Sequence, residues 1–201
     1  MEYMINQVNE EFVDEATDEL KKRYKKAMQI NKNFNQEIEI KLTPAEKHDP
    51  VRGKTRQFEF PAAYDIWNMY YYVTAENYDI DIDPSLEIIE KMFFNNPFLR
   101  GIKYNINNDG FYSSKTGFLY HLSVLKKRLL NGGTFSCREL GIMIGYSNQG
   151  TITKVKDTLG LNPKKENGQY ILSNETAREI VMTSKSPLLE STYGGYKNKV
   201  I

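Results

Sequence analysis

Ten residues between positions 147 and 167 have side chains that could contact a double helix. Hydroxyl and amide groups hydrogen-bond to base edges, lysines contact phosphates, and a glycine lets the backbone approach a groove. Ile152, Val155 and Leu159 recur at helical spacing within 148–159, so the opposite face of that helix presents part of the set, together with the acidic Asp157. The predicted DNA-contacting residues are Ser147, Asn148, Gln149, Gly150, Thr151, Thr153, Lys154, Lys164, Lys165 and Asn167.

The elements around these residues follow the order of a winged helix-turn-helix. Ser136 and Glu139 have the spacing of a capping box, in which each side chain satisfies a backbone amide of the other residue. Gly145 supplies the tight turn between the two short helices, where a side chain would cause strain. The predicted order is a helix at 115–130, a break at 131–133, a helix at 140–144, a helix at 148–159, a basic turn at 164–168, a strand at 169–172, and a helix capped by Ser173.

Charge is unevenly distributed along a chain whose net charge is only +1. Residues 1–60 carry −1 and residues 61–110 carry −5, whereas residues 111–201 carry +7. An acidic middle joined to a basic C-terminal part is typical of a nucleic-acid-facing module attached to a partner-facing one. The run Lys126-Lys127-Arg128 contributes to this charge, either as a solvated helix end or as a phosphate contact.

Two stretches resemble known DNA-binding families. Residues 136–154, SCRELGIMIGYSNQGTITK, resemble the helix-turn-helix of LexA-type and other bacterial winged-helix repressors. Residues 159–173, LGLNPKKENGQYILS, are similar to the wing of MerR-family and excisionase-like domains, although Gln169-Tyr170 stands where that pattern has Tyr-Arg. The resemblance implies that Ser147, Asn148, Thr151, Thr153 and Lys154 face a groove. It also implies that Lys164, Lys165 and Asn167 are wing contacts.

The N-terminal and middle segments predict an α+β interaction module. Apolar residues at helical spacing predict an amphipathic helix over 6–30 that packs on its own domain or on a partner. Alternation over 37–42 and 101–106 predicts strands, and residues 43–46 predict a short capped helical turn followed by a loop at 48–53. Residues 62–75 and a segment that begins at Asp83 predict two helices, and Phe111 begins a returning strand.

Two patterns could bind a metal. The acids from Asp79 to Glu90 fall on calcium-loop spacing, but Pro84 occupies the position that requires glycine, so Asp83-Pro84 favours a helix start. Glu39-Ile40-Lys41 has the spacing of many metal nucleases, but the expected upstream acid on a strand is missing. We therefore expect no metal and no cofactor, and the nuclease hypothesis stays the third choice.

The remaining reactive and aromatic residues favour structural roles. Cys137 stands at a helix N-terminus beside Arg138, which can activate a thiol, but a buried structural thiol is favoured because no histidine lies nearby. Trp67 and Tyr70–Tyr72 could stack on bases, yet they lie in the most acidic segment, which favours a core or a partner interface.

Composition excludes several classes of protein. One cysteine rules out an internal disulfide framework, and two histidines are too few for a histidine-built metal site. The sequence has neither an apolar run of about 20 residues nor the pattern of a signal peptide, so we expect a cytoplasmic protein without a membrane partner.

The sequence as a whole predicts a mainly α protein with minor β structure. Residues 1–112 form an α+β interaction or oligomerisation module, residues 113–183 a winged helix-turn-helix, and residues 184–201 a flexible tail. The predicted function is non-enzymatic binding of double-stranded DNA, as a transcriptional regulator or a replication or partition accessory of a phage- or plasmid-like element. A homodimer through the N-terminal part would match paired half-sites. The alternative is a structural or protein-interaction subunit whose winged helix contacts protein rather than DNA.

Overall fold

The protein is mainly helical with a small amount of β structure, as the sequence predicts. A computed structural model describes residues 3–34, 45–49, 54–74, 80–93, 111, 113–145, 164–166 and 169–189. A short 3-10 helix, Ile5–Gln7, precedes the first long helix. The helices are α1 (Glu10–Phe34), α2 (Pro61–Val73), α3 (Asp83–Phe93), α4 (Lys115–Asn131), α5 (Cys137–Met143) and α6 (Asn174–Thr183). The strands are β1 (Ala45–Asp49), β2 (Lys54–Phe58), β3 (Phe135–Ser136), β4 (Lys164–Glu166) and β5 (Gln169–Leu172).

The chain divides into two compact units. The N-terminal unit contains Asn9–Tyr72 and Asn77–His121, and the C-terminal unit contains Met1–Val8, Val73–Glu76 and Leu122–Ile201. The division passes through α4, and the domain limits predicted at 112 and 183 stay predictions.

Helix α1 packs within the N-terminal unit through the stripe that its sequence predicts. Phe12, Val13, Ala16 and Leu20 are all buried. The Thr116 hydroxyl donates to the Ala16 carbonyl at 3.0 Å, and the Glu19 carboxylate accepts from the Lys115 amide at 2.9 Å. Glu19 therefore satisfies the first amides of α4, and α1 is held on its own domain.

Helix α2 is the aromatic centre of the N-terminal unit. Trp67, Tyr70, Tyr71 and Tyr72 are between 2% and 6% exposed. The rings of Trp67, Tyr70 and Tyr71 contact one another at centroid distances of 5.4–5.7 Å. The core role that the acidic surroundings favour is confirmed.

Strands β1 and β2 form an antiparallel hairpin that the sequence did not predict. The helical turn predicted at 43–46 is wrong at Ala45 and Glu46, and the loop predicted at 48–53 is wrong at His48 and Asp49. Pairing with β2 decides the conformation, because it satisfies the backbone of both strands and buries Phe58. The strands predicted at 37–42 and 101–106 lie outside the described residues, and Phe111 has helical rather than extended backbone.

The C-terminal unit contains a three-stranded antiparallel sheet in the order β3-β5-β4. Phe135 pairs with Leu172 and Lys165 pairs with Tyr170, so β5 is the central strand. The turn predicted at 164–168 is wrong at Lys164–Glu166, which form a strand. Pairing with β5 extends the hairpin by these residues.

Candidate nucleic-acid interface

The start of α5 is held by the predicted capping box. The Ser136 hydroxyl accepts from the Glu139 amide at 3.2 Å, and the Ser136 amide donates to Glu139 Oε2 at 2.8 Å. Burial raises the pKa of Glu139, but the hydrogen bonds from Arg128 and Ser136 outweigh it, so the pKa of this carboxyl lies below its usual value. The carboxylate is therefore ionised and fixed where the helix begins.

Arg128 connects the end of α4 to this cap. Its guanidinium donates to Glu139 Oε1 at 2.5 Å and lies 4.6 Å from the centre of the Phe135 ring. Gly133, with φ +150°, lies against its stem, since a Cβ on Gly133 would meet Arg128 Cγ at 2.8 Å. Arg128 is consequently a structural residue of the unit.

Lys126 is fully buried, which neither interpretation of the basic run anticipated. Burial lowers the pKa of its ammonium from 10.5 to about 7. Lys127 is half-buried. The interpretation of this run as a solvated helix end or a phosphate contact is wrong for Lys126, because the α4 face that carries Lys126 also carries Leu122, Leu125 and Leu129 into the core.

The predicted turn after α5 is confirmed at Gly145. Its φ is +88°, a backbone conformation that L side chains rarely adopt, and a Cβ there would lie 3.5 Å from the Ile5 methyl. The Ser186 hydroxyl donates to the Met143 carbonyl at 2.5 Å, which satisfies the last turn of α5. The chain therefore leaves α5 in a defined direction.

Helix α6 starts as predicted and is tied to α4. The Ser173 hydroxyl accepts from the Thr176 amide at 3.3 Å, which caps α6. The Asn174 amide group donates to the Leu129 carbonyl at 3.0 Å, so α6 satisfies an otherwise unpaired carbonyl at the end of α4. The C-terminal end of β5 is thus held by its pairing with β3 and by the start of α6.

Two of the ten candidate residues lie in the described part of the chain. Lys164 and Lys165 are on β4, and Lys165 is exposed with its ammonium 6.0 Å from the centre of the Tyr170 ring. The other eight lie outside the described residues, as does the helix predicted at 148–159: Ser147, Asn148, Gln149, Gly150, Thr151, Thr153, Lys154 and Asn167.

A second polar cluster, in the N-terminal unit, was missed at the sequence level. Asp65 and Asn68 on α2 are 9% and 6% exposed, and both interact with the buried hydroxyl of Ser85 on α3. The sequence signal that could have revealed this cluster is the spacing of Asp65 and Asn68. They are three positions apart within an aromatic helix, and this spacing places both on one helix face.

The structure gives little support to the metal-site and reactive-thiol hypotheses. The Asp83 amide donates to Asp81 Oδ1 at 3.1 Å, so Asp81 initiates α3 as the helix-start interpretation requires. Within the described ranges no three His, Cys, Asp or Glu residues are grouped to hold a metal ion. Glu39-Ile40-Lys41 lies outside those ranges, and Cys137 is buried, as predicted.

Comparison with known proteins assigns the chain to no family. No family model matches the sequence, and no curated protein or solved structure is significantly similar to the chain. Of the helices described, none is both long enough and apolar enough to cross a membrane.

Proposed function

We propose that the chain binds double-stranded DNA through a winged helix-turn-helix in its C-terminal unit. The activity is non-enzymatic, as a transcriptional regulator or a replication or partition accessory of a phage- or plasmid-like element. Helix 148–159 enters the major groove, and the β4–β5 hairpin contacts phosphates or the minor groove beside it. A dimer through the N-terminal unit would present two such modules to paired half-sites.

The observation that carries the proposal is the pairing of β3 with β5. β3 ends at Ser136, the residue that caps α5, and β5 ends one residue before Ser173, which caps α6. This pairing brings the β4–β5 hairpin beside the start of the first short helix. Residues 146–163 then connect the Gly145 turn to Lys164, which is enough chain for a helix of about three turns and its two connections.

Charge supports a phosphate-facing role for this half of the chain. Residues 111–201 carry 13 Lys and Arg against 6 Asp and Glu. Lys165 is exposed on the hairpin, where its ammonium can contact phosphate.

Two of the three cations in the run 126–128 are not available to contact phosphate, and this favours the alternative function, in which the winged helix contacts protein. Lys126 is buried and Arg128 is paired with Glu139, so fewer positive charges reach solvent than the sequence suggests. A winged helix with fewer phosphate contacts fits a module that contacts protein. The two functions differ in salt dependence, because DNA binding releases counterions and a mainly apolar protein contact does not.

The deciding experiment is fluorescence anisotropy of the full chain with a random duplex of about 30 base pairs across a salt series. We expect a log–log slope of several units, and Thr153→Ala with Lys154→Ala should weaken binding while leaving the circular dichroism spectrum unchanged. Lys91→Ala, which removes an exposed charge from α3 in the N-terminal unit, is the matched control. Failure to bind duplex even at low salt would reject the proposal and leave the protein-contact alternative.

A further inference from the structure

Helix α1 carries a row of charged side chains on the side opposite its buried residues. The row consists of Glu11, Asp14, Asp18, Lys22 and Lys25, and all five are exposed. Intervals of three, four, four and three residues keep them along one side of an α-helix, over a length of about 21 Å. Together these five residues are the charged stripe of α1.

The order of charges in this stripe is unfavourable for the helix itself. Glu11 and Asp14, Asp14 and Asp18, and Lys22 and Lys25 are three or four positions apart, so each of these pairs sets like charges side by side. Only Asp18 and Lys22 are neighbours of opposite charge along the stripe. The helix dipole favours acids in the first turn and bases in the last, but Asp18 and Lys22 lie in neither turn of this 25-residue helix.

Charges that adjoin the stripe are compensated within the chain, whereas the stripe itself is not. Glu15 forms an ion pair with Lys115 on α4, and Lys21 forms one with Glu59, which follows β2. In the described part of the chain, none of the five stripe residues forms an ion pair. The counter-charges for this surface therefore have to come from outside the described part of the chain.

The spacing of the stripe is symmetrical about Asp18. Glu11 and Lys25 are each seven positions from Asp18, and Asp14 and Lys22 are each four positions from it. If two copies of α1 lie antiparallel about a two-fold axis at Asp18, Glu11 of each copy faces Lys25 of the other, and Asp14 faces Lys22. All these pairs have opposite charge, and only the two Asp18 side chains meet a like charge. In a parallel pair, every residue would face its own type.

We propose that the charged stripe of α1 is the surface on which two copies of this chain associate, antiparallel about Asp18. A second copy is the partner because the acidic half of the stripe is complementary to its own basic half. The inference deepens the dimer of the function proposed above, and it rests on that function for what the dimer achieves. The four ion pairs between the copies are exposed, so the association is weak and is screened by salt.

Sedimentation equilibrium of the full chain, without DNA, tests this surface. We expect a monomer–dimer equilibrium with a lower dissociation constant at low salt than at high salt. Asp14→Lys should raise that constant about tenfold or more, because the two-fold axis turns two attractive pairs into repulsive ones. Glu179→Lys, the same change of charge at an exposed position of α6, is the matched control. Because DNA is absent, failure to dimerise is distinguished from failure to bind duplex.

Exchange of charge between two positions separates a specific surface from a general charge effect. Lys22→Asp should weaken association as Asp14→Lys does. A mixture of the two single variants should form a heterodimer, because each supplies the charge that the other lacks. The double variant Asp14→Lys with Lys22→Asp should recover self-association, which only the antiparallel arrangement allows. Circular dichroism of each variant checks that it is folded.

Asp18 provides an independent test, because it is the position where the proposed arrangement brings like charges together. Asp18→Asn should strengthen association several-fold. Results that would overturn the proposal are a wild-type chain that stays monomeric at low salt, a loss in Glu179→Lys equal to that in Asp14→Lys, and a double variant that does not associate. A monomer whose duplex affinity falls in Lys22→Asp would assign the basic half of the stripe to DNA and reject the proposal. If the charge-reversal variants do not fold, Asp18→Asn decides, and an unchanged or weaker association rejects it.

Discussion

Arg128 Nη2 and Glu139 Oε1 lie 2.5 Å apart, and this ion pair joins the end of α4 to the first turn of α5. The same carboxylate accepts from the Ser136 amide, so one side chain caps α5 and compensates Arg128. Because Arg128 also lies over Phe135, the contact includes β3. A cation that the sequence offers as a phosphate contact is therefore part of the framework of the C-terminal unit.

Replacing the carboxylate at this junction should destabilise the protein. We expect Glu139→Gln to lower the free energy of unfolding by about 1–3 kcal/mol, because it removes a charged hydrogen bond and weakens a helix cap. Urea unfolding monitored by circular dichroism would measure the loss. Glu179→Gln, an exposed position on α6, is the control and should change stability little.

The same variant should alter the pH dependence of stability. The pKa of Glu139 is lower in the folded protein than in the unfolded chain, so its stabilisation is present above the unfolded pKa and is lost as pH falls through the folded one. Stability should consequently fall less steeply on acidification in Glu139→Gln than in the wild type. Equal slopes would contradict the assignment.

Removing the buried amine of Lys126 should change how the stability of the protein depends on pH. Burial lowers the pKa of Lys126 from 10.5 to about 7, so the unfolded chain holds this proton more tightly and stability rises with pH between those values. We expect the free energy of unfolding of Lys126→Met to rise less between about pH 7 and about pH 9 than that of the wild type, because the variant has no amine to titrate at this position. Denaturant unfolding at the two pH values measures this difference. Lys127→Met, at the half-buried neighbouring position, is the matched control variant.

The turn at Gly145 should tolerate side chains according to their preference for positive φ. At φ +88°, Gly145→Ala should cost about 1–2 kcal/mol, and Gly145→Asn should cost less because asparagine adopts left-handed backbone more readily. Thermal unfolding of the two variants would give the order. An alanine variant as stable as the wild type would show that this turn is not strained by a side chain.

The hairpin lysine provides a charge-specific prediction for the proposed DNA interface. Lys165→Ala should weaken duplex binding similarly for every sequence and reduce the salt slope by about one unit, as loss of one phosphate contact requires. Anisotropy titrations with two unrelated duplexes would measure this. Lys185→Asn removes an exposed lysine that follows α6 and serves as the control. An equal loss in both variants would indicate a general charge effect.

The parts of the fold that follow from the sequence are those governed by residues close together in the chain. Ser136 and Glu139 are three positions apart, and Gly145 needs only its own backbone conformation, so cap and turn could be predicted. The apolar stripe of α1 and the helix start at Asp83 depend on equally short spacings. Ala45 shows the opposite case, since its local helix-start signal was overcome by pairing with Phe58.

Sequence by itself therefore determined the apolar stripe of α1, the caps at Ser136 and Ser173, the Gly145 turn and the uneven charge of this protein. Tertiary structure alone decided that Lys126 is buried, that Arg128 is paired with Glu139, and that β3 pairs with β5. It also decided that Asp65, Asn68 and Ser85 share one hydrogen-bond cluster across two helices. The physical reason is that burial and pairing depend on residues far apart in the chain, whose approach is settled only when the whole unit packs.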